Sequence, residues 1–233
     1  RNLMEIGVKD YLVRPVDETE LLKSVAKSLV EKKGLIGSKL ISVVGAKGGV
    51  GVTSVTQLLA QDIATNLEQK TVVVDLSGTS GTLGIVFGIN PVAKLSEAVR
   101  IAEEGTDDDM QRICQVVNDK LAVLTCGGES VIAVTPNADK IEILLNRLMK
   151  KYPIVLVDLS GTSREVIKRV VEISSEVVVV SNALMTSLRN TKALLGEIAR
   201  IRTNLNQVDL VINMQSMVQN EEVPLQDIKQ ALD

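Results

Sequence analysis

The stretch that most constrains the fold runs from Leu40 to Leu67 and joins a strand pattern to a glycine-rich loop and a helix pattern. The apolar, largely β-branched run Leu40–Val44 predicts a buried strand that ends at Gly45. The loop that follows holds three glycines: Gly48, Gly49 and Gly51. The next apolar positions predict a helix with one buried face: Val55, Leu58, Leu59, Ile63 and Leu67. A strand, a glycine loop and a helix in this order aim backbone N–H groups at a phosphate.

The loop departs from the standard phosphate-loop pattern G-x-x-x-x-G-K-[ST]. Ala46 stands where the first glycine belongs, and Val52 stands where the lysine belongs. The sequence KGGVG, beginning at Lys47, is retained and is followed by Thr53 and Ser54, which suit both a helix N-cap and a hydroxyl ligand for Mg²⁺. A tight turn without a ligand is the weaker interpretation, because so many glycines are costly unless the backbone must be exposed.

Composition narrows the chemistry. The chain has 233 residues, of which 45% are hydrophobic and 24% charged, so we expect an ordinary soluble protein with a large core. It has no histidine, which excludes Ser-His triads, histidine general bases and most zinc sites. Aromatic residues are 1% and the net charge is −3, so nucleic-acid binding is not expected.

The cysteines and the start of the chain indicate its setting. Cys114 and Cys126 suit a reducing cytosol and are expected to be buried apolar fillers. No run of about 18 apolar residues occurs, so no membrane span is predicted. The first residue is Arg1, with no initiator methionine and no signal peptide, so we expect a fragment or a trimmed chain.

Residues 1–33 form a separate pattern. A short strand is predicted at Asp10–Val13, and a helix begins at Asp17 with Glu20 completing a capping box. The helix carries paired apolar positions and ends before Gly34: Leu21/Leu22, Val25/Ala26 and Leu29/Val30. The stretch GVKDYLVRPVDETELLKSV resembles the last strand and helix of a response-regulator receiver domain, without its phosphoacceptor aspartate. An edge βα unit packed on the main domain is an almost equal alternative.

The remaining apolar runs lack alternation, which predicts strands covered on both faces. They are Thr71–Val74, Leu121–Leu124, Ile154–Val157, Val177–Val180 and Leu210–Ile212. Helical patterns separate most of them, at 141–152, 166–171 and 188–198, and Asp107 to Asp109 suit a solvated helix start. Strands and helices in alternation predict an α/β fold with a doubly wound, mostly parallel sheet.

Three polar residues follow these strands directly: Asp75, Asp158 and Asn213. Ligands of such sheets bind outside the carboxyl ends of the strands, where an aspartate can hold Mg²⁺ through water and an asparagine can contact a base. Each alone is a weak signal, since turns favour the same residue types. Together, after a glycine loop, they predict a nucleotide site.

Residues 39–233 resemble the deviant P-loop ATPases of the MinD/ParA superfamily, and are most similar to its CpaE/TadZ branch of pilus-assembly and secretion ATPases. The resemblance is carried by AKGGVGVTS, VVVDLSGTSGTLG, YPIVLVDLSG, VVVVSNALMTSLRNTKALL and LVINMQ. That branch carries a receiver-like domain in front, which fits residues 1–33, with 34–38 as a linker. The resemblance implies a P-loop NTPase-like fold.

The resemblance also implies roles for individual residues. Lys47 would reach the partner's nucleotide across a homodimer, and Asp75 matches the first of two acids at the catalytic site. Thr53 and Asp158 would hold Mg²⁺, and Asn213 would contact adenine. The implied ATP-binding residues are Lys47, Gly48, Gly49, Val50, Gly51, Val52, Thr53, Ser54 and Asn213.

Three departures from the family pattern bear on activity. Val52 replaces the loop lysine, Ser77 replaces the second acid, which positions the attacking water, and Ser160 replaces a usual proline. We also expect the segment that closes over the base to be cut short at Asp233. We therefore expect ATP binding with slow or absent hydrolysis, in a cytoplasmic dimer recruited to the cell pole or to the inner face of the membrane. The implied partners are pilus or secretion machine components, including a secretion ATPase, with only indirect membrane contact and no nucleic acid.

Two other classes remain open. A dinucleotide-dependent oxidoreductase fits the spacing G-x-x-x-G-x-G and an acid at Asp75, but neither Tyr11 nor Tyr152 begins the required Tyr-x-x-x-Lys. A scaffold that lost its ligand explains Val52 and Ser77 and leaves Lys47 and the glycines unexplained. A DNA-binding partition ATPase is disfavoured by the acidic balance.

Overall fold

The computed structural model describes residues 37–77, 81–126, 136–202, 207–217 and 221–232. The receiver-like unit predicted for residues 1–33 lies outside these ranges, as does most of the 34–38 linker. Both therefore stay predictions. The described helices include none that is long and apolar enough to cross a membrane.

The described strands form one sheet in the order β3-β4-β2-β5-β1-β6-β7. Their bounds are β1 Lys39–Gly45, β2 Thr71–Asp75, β3 Gln115–Asn118, β4 Leu121–Leu124, β5 Ile154–Asp158, β6 Glu176–Asn182 and β7 Val208–Asn213. Neighbouring strands are parallel except β3 and β4, which are antiparallel. The predicted α/β class with a mostly parallel sheet is confirmed.

Helices cover both faces of this sheet. Their bounds are α1 Val52–Thr65, α2 Leu83–Phe87, α3 Leu95–Glu104, α4 Asp107–Ile113, α5 Ala138–Met149, α6 Arg164–Ile173, α7 Met185–Ile201 and α8 Leu225–Leu232. On β1, Leu40 and Val44 pack in one core cluster with helices α3, α5 and α6, whereas Ile41 and Val43 pack in another with α1. Burial on both faces explains why the strand shows no alternation.

The predicted buried face of α1 is confirmed at Val55, Leu59 and Ile63, which are buried or pack against the core, but not at the other two positions. Leu58 and Leu67 are 64% and 60% exposed, and Leu67 lies beyond the end of the helix. The buried residues are Val52, Val55, Thr56, Ala60 and Ala64. The helix also turns small side chains to the sheet, where Ala60 and Ala64 allow close approach, so a prediction based on large apolar residues missed these two and wrongly included Leu58 and Leu67.

Two features near the sheet edge complete the fold. Strand β3 was not predicted, because it is a short edge strand whose Val116 is 73% exposed. The predicted solvated helix start at Asp107 to Asp109 is confirmed: Thr106 and Asp109 form a capping box at the start of α4. Acidic residues there also suit the positive end of the helix dipole.

Candidate functional site

The carboxyl ends of β1, β2 and β5 meet at one edge of the sheet. Asp75, at the end of β2, lies in register with Asp158, at the end of β5. The glycine loop, residues 46–51, leaves β1 beside β5. The fold therefore brings the loop and both predicted acids to one place, as the order of the motifs predicted.

The glycine loop is open where a ligand would approach it. A Cβ atom added to Gly48 or Gly49 would meet no heavy atom within 4 Å. Gly49 and Gly51 have φ angles of 79° and 91°, in the left-handed region that glycine adopts without strain. A Cβ on Gly51 would also clash with the Nδ2 atom of Asn213 and displace it from the loop, which adds to the backbone strain at this position.

The N-terminus of α1 has no side-chain cap. Its N-cap is Gly51, not Thr53 or Ser54 as the sequence predicted, because the left-handed backbone of Gly51 starts the helix at Val52, two residues earlier than a Thr53 cap would. Glycine offers no side-chain acceptor, so no side chain caps the first-turn N–H groups. Uncapped N–H groups at the positive end of a helix dipole form a site for an anion.

Asn213 closes the loop from the last strand. Its Nδ2 atom donates a hydrogen bond of 2.9 Å to the carbonyl oxygen of Val50, across 163 residues of sequence. The loop backbone is thereby held by β7, a contact that the sequence did not reveal. Asn213, to which the resemblance assigns a contact with adenine, therefore also positions the glycine loop.

Asp75 is buried and surrounded by donors. It is 1% exposed, and it accepts hydrogen bonds from the backbone N–H of Ser77 at 2.9 Å, from the Ser77 hydroxyl, and from the N–H of Leu83 at 3.4 Å. Burial raises the pKa of Asp75, and the nearby Asp158 carboxylate acts in the same direction. Ser77 stands at the position where the resemblance implies the second catalytic acid. It therefore stabilises the first acid, Asp75, by hydrogen bonding.

The two predicted Mg²⁺ ligands are linked through Ser160. The Thr53 Oγ1 atom lies 3.2 Å from the Ser160 Oγ atom, and the Ser160 N–H donates to Asp158 Oδ1 at 2.8 Å. Asp158 is 1% exposed. A hydroxyl and a carboxylate beside an anion site are the oxygen donors that Mg²⁺ takes, usually with water and phosphate completing its shell. These residues fit the ion.

Lys47 and Val52 lie in different surroundings. The exposed Lys47 places its Nζ atom 3.5 Å from the Oγ1 atom of Thr186, which stands at the start of α7 and which no sequence pattern indicated. Val52 is 7% exposed and belongs to the core cluster under α1. A Cβ on Gly45 would lie 2.7 Å from Val52 Cγ2, so valine packs closely against the end of β1.

Solved structures share this fold at low sequence identity. A ParA family ATPase from Chlorobium tepidum is 18% identical with a TM-score of 0.74, covering 84% of this chain and 81% of that chain. The septum site-determining protein MinD from Pyrococcus horikoshii, complexed with Mg-ADP, is 19% identical with a TM-score of 0.68, covering 84% and 78%. MinD in the MinC:MinD complex of Aquifex aeolicus is 17% identical with a TM-score of 0.65, covering 84% and 78%.

Sequence comparison gives the family. No curated protein matches the chain. A family model described as cellulose biosynthesis protein BcsQ matches residues 38–221, the whole of the sheet and its crossover helices. Because this match spans well over half of the sequence, the chain belongs to the BcsQ family and has the fold of the ParA and MinD ATPases.

Proposed function

We propose that this protein binds ATP with Mg²⁺ at the glycine loop, dimerises in response, and hydrolyses the nucleotide slowly or not at all. The observation that carries the proposal is the uncapped start of α1 behind an open glycine loop. Such a helix end leaves backbone donors without partners unless an anion takes them.

Each part of the site has a role in this proposal. The loop N–H groups and the start of α1 hold the phosphates. Thr53 and Asp158 hold Mg²⁺, which offsets phosphate charge when bound, and Asn213 contacts the base with its Oδ1 atom while its Nδ2 atom holds the loop. Lys47 and Asp75 are the proposed catalytic residues.

Slow hydrolysis follows from the two substitutions. An apolar Val52 supplies no charge to the phosphates, and losing one charge-assisted contact costs roughly 1.5–3 kcal/mol, or about 10- to 100-fold in affinity. Losing a donor aimed at transition-state charge costs on the order of 10²–10³ in rate. Ser77 also lacks the carboxylate that would orient water. Binding therefore survives better than hydrolysis.

Dimerisation rests on Lys47. Its side chain is exposed at the rim of the loop, and among the described residues its Nζ atom forms one hydrogen bond, of 3.5 Å to Thr186, and no ion pair, so it is available to a second subunit. The Mg-ADP complex of MinD and the MinC:MinD complex support a nucleotide switch that acts through protein partners.

Calorimetric ATP titration with Mg²⁺, with light scattering on the same samples, tests the proposal. We expect binding accompanied by a shift from monomer to dimer, with turnover well below ordinary enzyme rates. Lys47→Ala should weaken both, whereas the matched control Lys150→Ala, at an exposed helix end, should change neither. A Lys47→Ala variant that binds and dimerises like the wild type contradicts the dimer.

Failure to bind millimolar ATP would show that the glycine loop no longer binds nucleotide and would favour the scaffold interpretation. Binding of NADH in a fluorescence titration would instead favour the oxidoreductase interpretation. Ordinary turnover of ATP would contradict slow hydrolysis and leave ATP binding intact.

We propose that the partner of this protein is a membrane-bound assembly machine. The resemblance to the CpaE/TadZ branch favours pilus assembly or secretion, with a secretion ATPase among the partners. The family description favours a second candidate, a cellulose-producing machine. Deleting the gene and measuring surface pili and cellulose in the same strain distinguishes them. Loss of pili alone supports the first candidate, and loss of cellulose alone supports the second.

A further inference from the structure

A groove of about 690 Å³ runs between helices α6 and α7 and reaches Ala46 at the start of the glycine loop. Its apolar lining comes from both helices: Ile167, Val171, Leu194, Ile198 and Ile201. Its rim carries Arg164, Lys168 and Arg200, with Glu197 among them. None of these three cations forms an ion pair with a described residue. The groove suits an apolar segment that carries acidic residues.

The chain enters the sheet at one end of this groove. Leu40 exchanges backbone and side-chain hydrogen bonds with Ser175, and Lys39 pairs with Glu176 at 2.6 Å. Ser175 follows the end of α6, and Arg202, just after α7, donates to its carbonyl oxygen at 3.2 Å. The residues before Lys39 therefore emerge where α6 and α7 both end.

The preceding sequence has the length and pattern to fill the groove. Residues 17–33, outside the described ranges, are predicted from sequence as an amphipathic helix, about 25 Å long at 1.5 Å per residue. Strand β1, which the groove follows, has seven residues and spans about 23 Å. The intervening residues 34–37 can extend to about 13 Å, enough to turn from the strand onto the helix layer.

The charges of residues 17–33 and of the groove agree with one orientation of the segment. A helix over 17–33 that leads into Lys39 has its acidic start, with Asp17, Glu18 and Glu20, at the far end of the groove from Lys39. That end is where α6 begins, with Arg164 and Lys168 in its first two turns. On a helical projection Glu18 shares the face of Leu22 and Leu29. In this orientation the acidic start of the segment lies beside Arg164 and Lys168.

We infer that residues 17–33 of the same chain pack along the α6–α7 groove, with their apolar face on Ile167 and Leu194 and Glu18 beside Lys168. In this position the segment runs antiparallel to β1, as the crossover helices of a parallel sheet do. It also lies against Gly45 and Ala46, which line the groove and lead into the glycine loop. The front unit is thereby joined to the ATPase fold next to its proposed nucleotide site.

Hydrogen–deuterium exchange on the full chain tests the docking. Leu29→Asp places a charge on the apolar face and should raise exchange at 167–171 and 194–201 by about tenfold or more. Ser24→Asp adds the same charge on the opposite face of the predicted helix and should leave both segments unchanged. Unchanged exchange in β5, residues 154–158, shows that each variant is folded.

A charge swap separates docking from a general loss of stability. Lys168→Glu alone should raise exchange along the groove, and Glu18→Lys in the same chain should restore it. Lys120→Glu, in the exposed turn before β4, is the control and should have no effect. Equal exchange in the wild type and in Leu29→Asp overturns the inference, as does protection that grows with protein concentration, which would identify a second copy as the occupant. ATP titration is independent of either outcome.

Discussion

At the scale of single residues, Asp75 is a buried acid whose charged form is stabilised by hydrogen bonds and destabilised by burial. Its carboxyl group is 1% exposed and receives three hydrogen bonds, two of them from Ser77. Those bonds favour the charged form, whereas burial and Asp158 disfavour it more strongly, so its pKa is raised. A group with a raised pKa binds protons more readily in the folded state than in the unfolded state.

This imbalance predicts a pH dependence of stability. As pH rises above the ordinary value of 3.8, the unfolded Asp75 ionises first, so this residue costs stability until its folded form has ionised too. Asp75→Asn removes that cost, and the free energy of unfolding of the variant relative to the wild type should increase from about pH 4 to about pH 7. Urea denaturation at both values measures it. A constant difference, like that expected for the exposed Asp119→Asn, contradicts the prediction.

The loop glycines should differ in their tolerance of alanine. Gly51→Ala combines a left-handed backbone with a Cβ placed 2.3 Å from Asn213, so we expect a loss of at least about 2 kcal/mol. Gly49→Ala carries the backbone strain alone and should lose about 1 kcal/mol. Asn213→Ala in the Gly51→Ala background should recover part of the loss. Denaturant unfolding tests the order, and equal losses at both glycines would contradict it.

At the scale of elements, Arg202 ties the end of α7 to the end of α6. Its guanidinium donates to the carbonyl oxygens of Val171 at 2.7 Å, Ser174 at 2.6 Å and Ser175 at 3.2 Å. Carbonyl groups at a helix end otherwise lack partners, and a cation there also suits the helix dipole. The Arg202 side chain thus provides hydrogen-bond donors to the carbonyl groups at the end of α6.

Arg202→Met should therefore cost roughly 2–3 kcal/mol, because buried carbonyl groups lose a charged donor. Arg189→Met changes an exposed arginine on the same helix α7 and should stay within about 0.5 kcal/mol of the wild type. Thermal unfolding of the two variants makes the comparison. Similar midpoints would show that Arg202 contributes no more than a surface residue.

Sequence patterns predicted elements well where burial was complete. The uninterrupted apolar runs of β1, β2, β5 and β6 were all found, because a strand covered on both faces needs apolar residues throughout. Strand β3 was missed, since an exposed edge strand carries no such pattern. The N-cap was misplaced because Gly51 caps through its backbone conformation, which side-chain rules do not detect. Contacts between distant residues, such as Asn213 with Val50, have no local signal.

At the scale of the whole molecule, the sheet has a protected centre and two unequal edges. Strands β2, β5 and β1 lie inside it, and their residues are almost all buried. Strand β3 at one edge is mostly exposed, and β7 at the other is half-buried. An edge strand has a neighbour on one side only, so its backbone hydrogen bonds open more easily.

Amide exchange should follow this arrangement. We expect the slowest exchange in β2, β5 and β1, where opening requires global unfolding, and exchange faster by at least about tenfold in β3 and β7. Mass spectrometry of peptides covering each strand measures the ranking. Exchange in β7 as slow as in β1 would contradict it.

The position of β1 between β5 and β6 has a consequence for how the protein is made. The ribosome releases β1 before either of its neighbours, both of which are synthesised more than 100 residues later. Until Ile154 and the residues after it emerge, β1 of the nascent chain has no partner strand on either side. The glycine loop can acquire its hydrogen bond from Asn213 only later, when β7 has been synthesised. Newly made chains should thus depend on chaperones until β7 has emerged, and the proposed nucleotide pocket should form only then.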